Sequence, residues 1–299
     1  MKEANDARGH ISALVTVLIW GTAFISTKIL LSDFKPIEII FYRFSIGLIV
    51  LMIAYPRRLK GTNKKEELMF AAAGLCGITM YYLLENSALT YTAASNVGVI
   101  ISVAPFFTAL LANWLLDDEK LKANFFIGFI TAIIGISLIS FNGIAVLRLN
   151  PVGDILALSA AGVWAVYSIL LRKIGQLGYN TIQTTRRIFC YGLIILAPIL
   201  FLFQFEWGFE RFTQPYNTFN ILFLGLGASA LCFATWNFAV RTLGAVKTSI
   251  YIYLVPVITV VTSVIVLSER ITWMSALGTI LTLAGLFISG KKMKNTSKK

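Results

Sequence analysis

The sequence predicts an all-α integral membrane protein with ten transmembrane helices arranged as two inverted five-helix repeats. Three observations lead there. Of its 299 residues 57% are apolar and only 13% charged, with a mean hydropathy of +0.78, far from the balance of a soluble domain. Apolar stretches near the roughly 20 residues needed to cross a bilayer follow one another with short polar joints. Finally, the chain aligns with itself.

The stretches fall at roughly 10–31, 36–55, 68–89, 93–116, 123–141, 151–172, 180–203, 217–240, 244–267 and 271–290. The first, "HISALVTVLIWGTAFISTKILL", is too long for a signal-peptide core and no small-residue cleavage site follows, so it reads as helix one. Cys76, Cys190 and Cys232 all lie within predicted spans, where they act as small apolar residues. With His10 the sole histidine there is no Cys/His cluster for zinc or haem, and no cofactor is expected. A phosphate-binding Gly-rich loop followed by lysine is also missing, so nothing marks an ATP motor.

The net charge of +12 is sorted by loop. Eighteen of the 26 basic residues fall in the tails and in the joints after helices 2, 4, 6 and 8, and four (Lys35, Arg148, Arg211, Arg270) on the opposite side. That bias follows the positive-inside rule and predicts both termini in the cytoplasm of a plasma (inner) membrane protein. The basic tail is read as a topology signal and a contact for anionic membrane lipid, not a nucleic-acid site.

The self-alignment pairs Asn86 with Asn237 and Pro105 with Pro256 at an offset of 151, then Gly128 with Gly278 and Gly135 with Gly285 at 150. Trp20 pairs with Trp164. The repeats divide the chain into residues 1–145 and 146–290, with 291–299 a basic cytoplasmic tail. Five helices is an odd number, so the second copy is inverted. Inverted repeats place a site near the midplane, and rocking between mirror arrangements exposes it to either side in turn.

Candidate site residues follow along the chain. Trp20 and Trp164 sit midway along their spans as repeat mates and can wall a ligand, with Tyr81, Tyr82, Tyr167, Trp236 and Tyr253 near the expected cavity. Helix 4 carries a small, partly polar stripe of Ser95, Gly98, Ser102, Pro105, Ala109 and Ala112, which fits a cavity wall or close packing. Its helix 9 counterpart is Val246, Ser249, Tyr253, Pro256, Val260 and Ser263. Pro105 and Pro256 each free a mid-span carbonyl and are candidate hinges. Asn86 and Asn237 are matched amides that suit substrate binding or interhelical hydrogen bonds.

Glu85 is the one acidic residue well placed within a span, about a turn from the end of helix 3, with Lys28 and Arg43 at nearby depths. An ion pair of Glu85 with Lys28 or Arg43 is one expectation; a coupling proton or a substrate ammonium on Glu85 is the other. Its repeat mate is Trp236, so the charge is not part of the symmetric machinery. Glu119–Lys120 and Glu269–Arg270, in the turns before helices 5 and 10, are expected to cap helices.

The pattern Asn86–Ser87–Ala88–Leu89, Ala94–Ser95, Ala104–Pro105 and Asp118–Glu119–Lys120, repeated as Asn237–Phe238–Ala239–Val240, Pro256 and Ser268–Glu269–Arg270, resembles the EamA-type drug/metabolite transporters. The resemblance covers nearly the whole chain. It implies a ten-helix carrier, not an enzyme, with a cavity lined mainly by helices 1, 3, 4, 6, 8 and 9 and a small-molecule substrate, amino-acid export being the best single expectation. Nucleotide sugars and lipid-linked sugars are the alternative cargo, though their phosphates call for more cavity cations. An intramembrane enzyme would want several convergent acid, base or metal groups. Oligomeric state is not fixed by sequence.

Overall fold

The computed structural model describes residues 2–92, 94–119, 123–140, 150–267 and 273–290. The predicted turn residues Lys120, Ser268, Glu269 and Arg270 and the basic tail lie outside them, as do the side chains of Ser95, Val260 and Ser263. All regular structure among the described residues is helical.

The helices are α1 (Lys2–Leu30), α2 (Pro36–Ala54), α3 (Lys64–Tyr91), α4 (Ala94–Ile101 continued by Ala104–Leu115) and α5 (Ala123–Ser140). The second half repeats them as α6 (Pro151–Gln176), α7 (Thr181–Leu202), α8 (Pro215–Leu243), α9 (Ala245–Ser249, Ile250–Tyr253 and Leu254–Leu267) and α10 (Trp273–Gly290). Seven described helices are long and apolar enough to cross a membrane, and shorter apolar helices at Ala123–Leu138, Ala245–Ile258 and Ala276–Ser289 complete ten.

Caps fix where several helices begin. Asn63 and Glu66 form a reciprocal capping box that starts α3 at Lys64. Asn150 and Asn180 accept from Gly153 N and Ile182 N to start α6 and α7. Proline at the first turn starts α2, α6 and α8.

The repeat is visible in backbone detail. α3 widens to a π-helix at Leu75–Met80 and α8 at Phe223–Leu231, and a shift of 151 lays the first inside the second. α4 is interrupted at Ser102–Val103, and α9 tightens to a 3-10 turn at Ile250–Tyr253, just before Pro105 and Pro256 respectively.

α5 and α10 show the inversion most directly. Gly135 lies so close to α10 that a Cβ there would stand 2.5 Å from Gly278 O and Thr282 N; at Gly285 it would stand 2.5 Å from Gly128 O and Ala132 N. Shifting either set by the repeat offset gives the other. Residue number rises along one helix as it falls along the other, so the mates run antiparallel, as a twofold axis in the membrane plane requires. The two repeats therefore face each other inverted across that axis.

α2 and α7 are paired in the same way. Gln183 and Arg186 of α7 donate to the carbonyls of Tyr55, Arg57 and Arg58 after α2. Glu38 and Tyr42 of α2 hold the loop after α7, through Glu206 N and Trp207 O. Between these pairs an aromatic core of Phe44, Phe189, Phe233, Trp164 and Trp236 fills the centre.

Candidate functional site: a central cavity lined by a buried arginine and a buried glutamate

A cavity of about 590 Å³, counting the open space at its mouth, lies between the halves. α1 contributes Trp20, Ala23, Phe24 and Thr27; α2 contributes Arg43; α3 gives Tyr81, Tyr82 and Glu85. Gly98, Ile101 and Ser102 of α4, Trp164 of α6, and Ile252 and Val255 of α9 close it. The lining runs from mid-span toward the ends of α1 and α3 and the start of α4, so the cavity lies toward the membrane face opposite the termini.

Trp20 and Trp164 meet at the twofold axis, with ring centroids 5.3 Å apart and edge to face. Their indole N–H groups have different fates. Trp20 Nε1 donates to Ala228 O at 3.0 Å, a carbonyl inside the π segment of α8. The i→i+5 spacing of a π turn disturbs the local ladder and gives such a carbonyl a second use. Trp164 Nε1 is buried and has no hydrogen-bond partner, so the cavity wall carries a spare donor.

Glu85 supplies a spare acceptor. The residue is 7% exposed, and Oε2 has no hydrogen-bond partner. The expected ion pair is not formed: neither Lys28 nor Arg43 comes within 4.0 Å of the carboxylate. Lys28, at the end of α1, spends its ammonium on the Leu89 carbonyl at 2.7 Å. Arg43 is drawn the other way, Nε donating to Ser229 Oγ of α8 at 2.9 Å and the guanidinium lying 4.4 Å from the Tyr82 ring centroid. Both side chains nonetheless line the cavity.

Of the predicted residues, Trp20, Arg43, Tyr81, Tyr82, Glu85, Gly98, Ser102 and Trp164 are brought together on the wall. Others stand behind it. Tyr167 donates to Asn237 Oδ1 at 3.1 Å and Asn237 Nδ2 to Thr185 Oγ1 at 2.8 Å, an interhelical network of α6, α7 and α8. Asn86 donates to Pro36 O at 3.3 Å, tying α3 to the start of α2. Trp236, the repeat mate of Glu85, is fully buried and packs on Trp20 with ring centroids 5.0 Å apart. Pro105 and Pro256 are buried at the irregular points of α4 and α9.

Among the described side chains of the helix 9 stripe, Val246, Ser249, Tyr253 and Pro256 lie off the cavity, and from Ile250 onward there is a geometric reason. An α-helix turns 100° per residue and a 3-10 turn 120°, so the four residues Ile250–Tyr253 rotate the following face by about 80°. Ile252 and Val255 meet the cavity instead, while Tyr253 is buried against Ala109, Phe125 and Ile250. On α4 the stripe splits: Gly98 and Ser102 line the cavity, and Ala109 and Ala112 pack. Phe24, Thr27 and Val255 carried no sequence signal, being ordinary for any apolar helix.

Glu119 does cap a helix, but in the other repeat. Its carboxylate accepts from Ala245 N at 2.8 Å and Val246 N at 2.7 Å at the start of α9.

Ten helices in inverted repeats around a mid-membrane cavity define a multi-pass membrane protein of the carrier type. Residues 7–141 and 151–290 each match the EamA-like transporter family, and the chain belongs to that family. An uncharacterized transporter of Archaeoglobus fulgidus is 28% identical, with 96% of this chain and 99% of the relative aligned. A Streptantibioticus cattleyicolor protein named a probable terminal-alkyne amino-acid exporter is 26% identical over 93% of this chain and 92% of its own. A crystal structure 19% identical in sequence superposes with a TM-score of 0.74 over 94% of this chain and 97% of that one, a likeness of fold.

Proposed function

We propose that this chain is a secondary carrier that exports amino acids or closely related zwitterionic metabolites by alternating access. The observation that carries the reading is the cavity's charge pattern: Arg43 and Glu85 both line one aromatic-walled space without pairing directly. An isolated buried charge is costly, and burying two without mutual contact makes sense where a ligand bearing both opposite charges completes them. A ligand carboxylate would meet Arg43 and its ammonium Glu85, while Trp20, Tyr81 and Trp164 would take an apolar side chain. A single arginine balanced by a carboxylate is a poor host for the several phosphate charges of a sugar nucleotide. The name of the Streptantibioticus relative points the same way.

The lysine and arginine bias of the loops supports a reading with both termini in the cytoplasm of the plasma (inner) membrane, which would turn the cavity toward the outside. Coupling would run through Glu85, by a proton or by exchange of one substrate for another. The test is exchange of labelled amino acids by purified protein in liposomes, preceded by a thermal-shift screen against amino acids, quaternary amines, nucleosides and sugar nucleotides. Arg43→Gln and Glu85→Gln should each cut exchange at least tenfold, since a charge-assisted hydrogen bond contributes about 1.5–3 kcal/mol. Exchange of no amino acid, or full activity in Arg43→Gln, sinks the zwitterion reading.

A further inference from the structure

The contacts of this fold divide by symmetry, and that division locates a gate. An inverted-repeat carrier changes state by exchanging the conformations of its halves, so any contact set that the twofold axis maps onto itself is common to both states. The glycine crossing of α5 with α10 is such a set, as is the mutual strapping of α2 and α7 to each other's loops. These helices are the frame. The movable part must lie among the remaining six, α1, α3, α4, α6, α8 and α9.

At the membrane face that bears the termini, beyond the cavity's inner end, α4, α6, α8 and α9 converge on one arginine. Arg172, at the end of α6, pairs with Asp118 at 2.5 Å and with Glu119 at 3.2 Å, and donates to Arg241 O at the end of α8 at 2.9 Å. Glu119 in turn holds the first two N–H groups of α9. The junction is shaped for this: Gly244 has φ +98, and a Cβ there would lie 2.7 Å from Glu119 Oε1. Both α4 and α9 carry irregular points on the cavity side of the cluster, where the backbone can bend without breaking a regular ladder.

We infer that Glu119 and Arg172 form the latch that closes the terminal face: capping of α9 by Glu119, locked by Arg172, holds the cavity shut on that side, and its release opens it there. The two are positioning residues, since neither lines the cavity. The inference rests on the alternating-access reading, but its test needs no substrate and stands apart from the cargo.

The experiment is thiol accessibility in the full chain reconstituted in oriented vesicles, with Cys76, Cys190 and Cys232 replaced by alanine and Ser102→Cys as the reporter on the cavity wall. A small membrane-impermeant thiol reagent is added to one side at a time. With the latch intact, labelling should be faster from the face opposite the termini. Glu119→Gln and Arg172→Gln should each raise labelling from the terminal face at least tenfold and lower it from the other, and Arg172→Lys should fall between. Unchanged labelling from both faces in either folded variant overturns the inference. If Glu119→Gln does not fold, Arg172→Gln decides; if neither folds, the cluster is a structural clamp and the inference fails.

Discussion

The glycine crossing gives the sharpest quantitative expectation, because one substitution, glycine to alanine, has opposite consequences at different positions. At Gly135 and Gly285 the new Cβ would stand 2.5 Å from two backbone atoms of the facing helix. Ordinary carbon contacts lie near 3.5–4.0 Å, so α5 and α10 must part by about 1 Å. A gap of that size forfeits roughly a quarter to a half of each dispersion contact along the interface, and overpacking of this kind costs about 1–3 kcal/mol. At roughly 2–4 °C per kcal/mol the melting temperature falls by about 2–12 °C. Since the two contact sets are repeat images, the two losses should be equal within about 1 kcal/mol. Gly98 and Gly162 have nothing within 4 Å of the built Cβ, so alanine there removes only the helix cost of glycine, about 0.5–1 kcal/mol in favour of the variant. Gly98→Ala would still alter transport, as that residue lines the cavity. Thermal unfolding of the four purified variants in one detergent is the assay. A neutral Gly135→Ala, or a large loss confined to one member of the pair, would refute the twofold packing argument.

Three further outcomes follow from particular contacts. Trp20→Phe and Trp164→Phe both lose ring packing, but only the first strands Ala228 O, so it should lower stability by about 1 kcal/mol more, whereas Trp164→Phe should raise KM for a substrate that uses the spare donor. Arg211→Ala should cost on the order of 2–3 kcal/mol by thermal unfolding: it leaves the fully buried Glu38 without its cation at 2.7 Å, though Lys35 N and Glu206 N still donate to it. Asp33, between α1 and α2, accepts from Asn217 at 2.8 Å and Tyr216 at 2.7 Å, and those hydrogen bonds hold its carboxyl below the ordinary aspartate value. A depressed folded-state pKa stabilises above the unfolded value, near 3.9, and the gain is lost as pH falls through the folded one. The melting temperature of wild type should therefore drop more steeply below about pH 4 than that of Asp33→Asn; parallel curves would show that the contact contributes nothing.

Much of this molecule is written in linear order, and much is not. The spans, their number and the inverted duplication were legible because hydropathy and repeat spacing are properties of the chain itself, and the meeting of Trp20 with Trp164 follows once mates at mid-span are brought to a twofold axis. Glu85 was legible as an intramembrane charge because such charges are costly wherever they fall.

What lies opposite each residue was decided only in three dimensions. Whether Arg43 pairs with Glu85 or turns to Ser229 depends on where α8 packs, and no spacing within α2 encodes that. The face that α9 offers to the cavity turned on a four-residue 3-10 segment whose overwinding cannot be told from a regular helix by apolar periodicity. Glu119 reads locally as a cap for the helix that follows it, yet it caps α9 from the other half of the chain, because a carboxylate binds whichever free N–H groups the fold sets before it. Sequence settles what each helix is; the contacts between helices settle which of its residues face the cavity and which face one another.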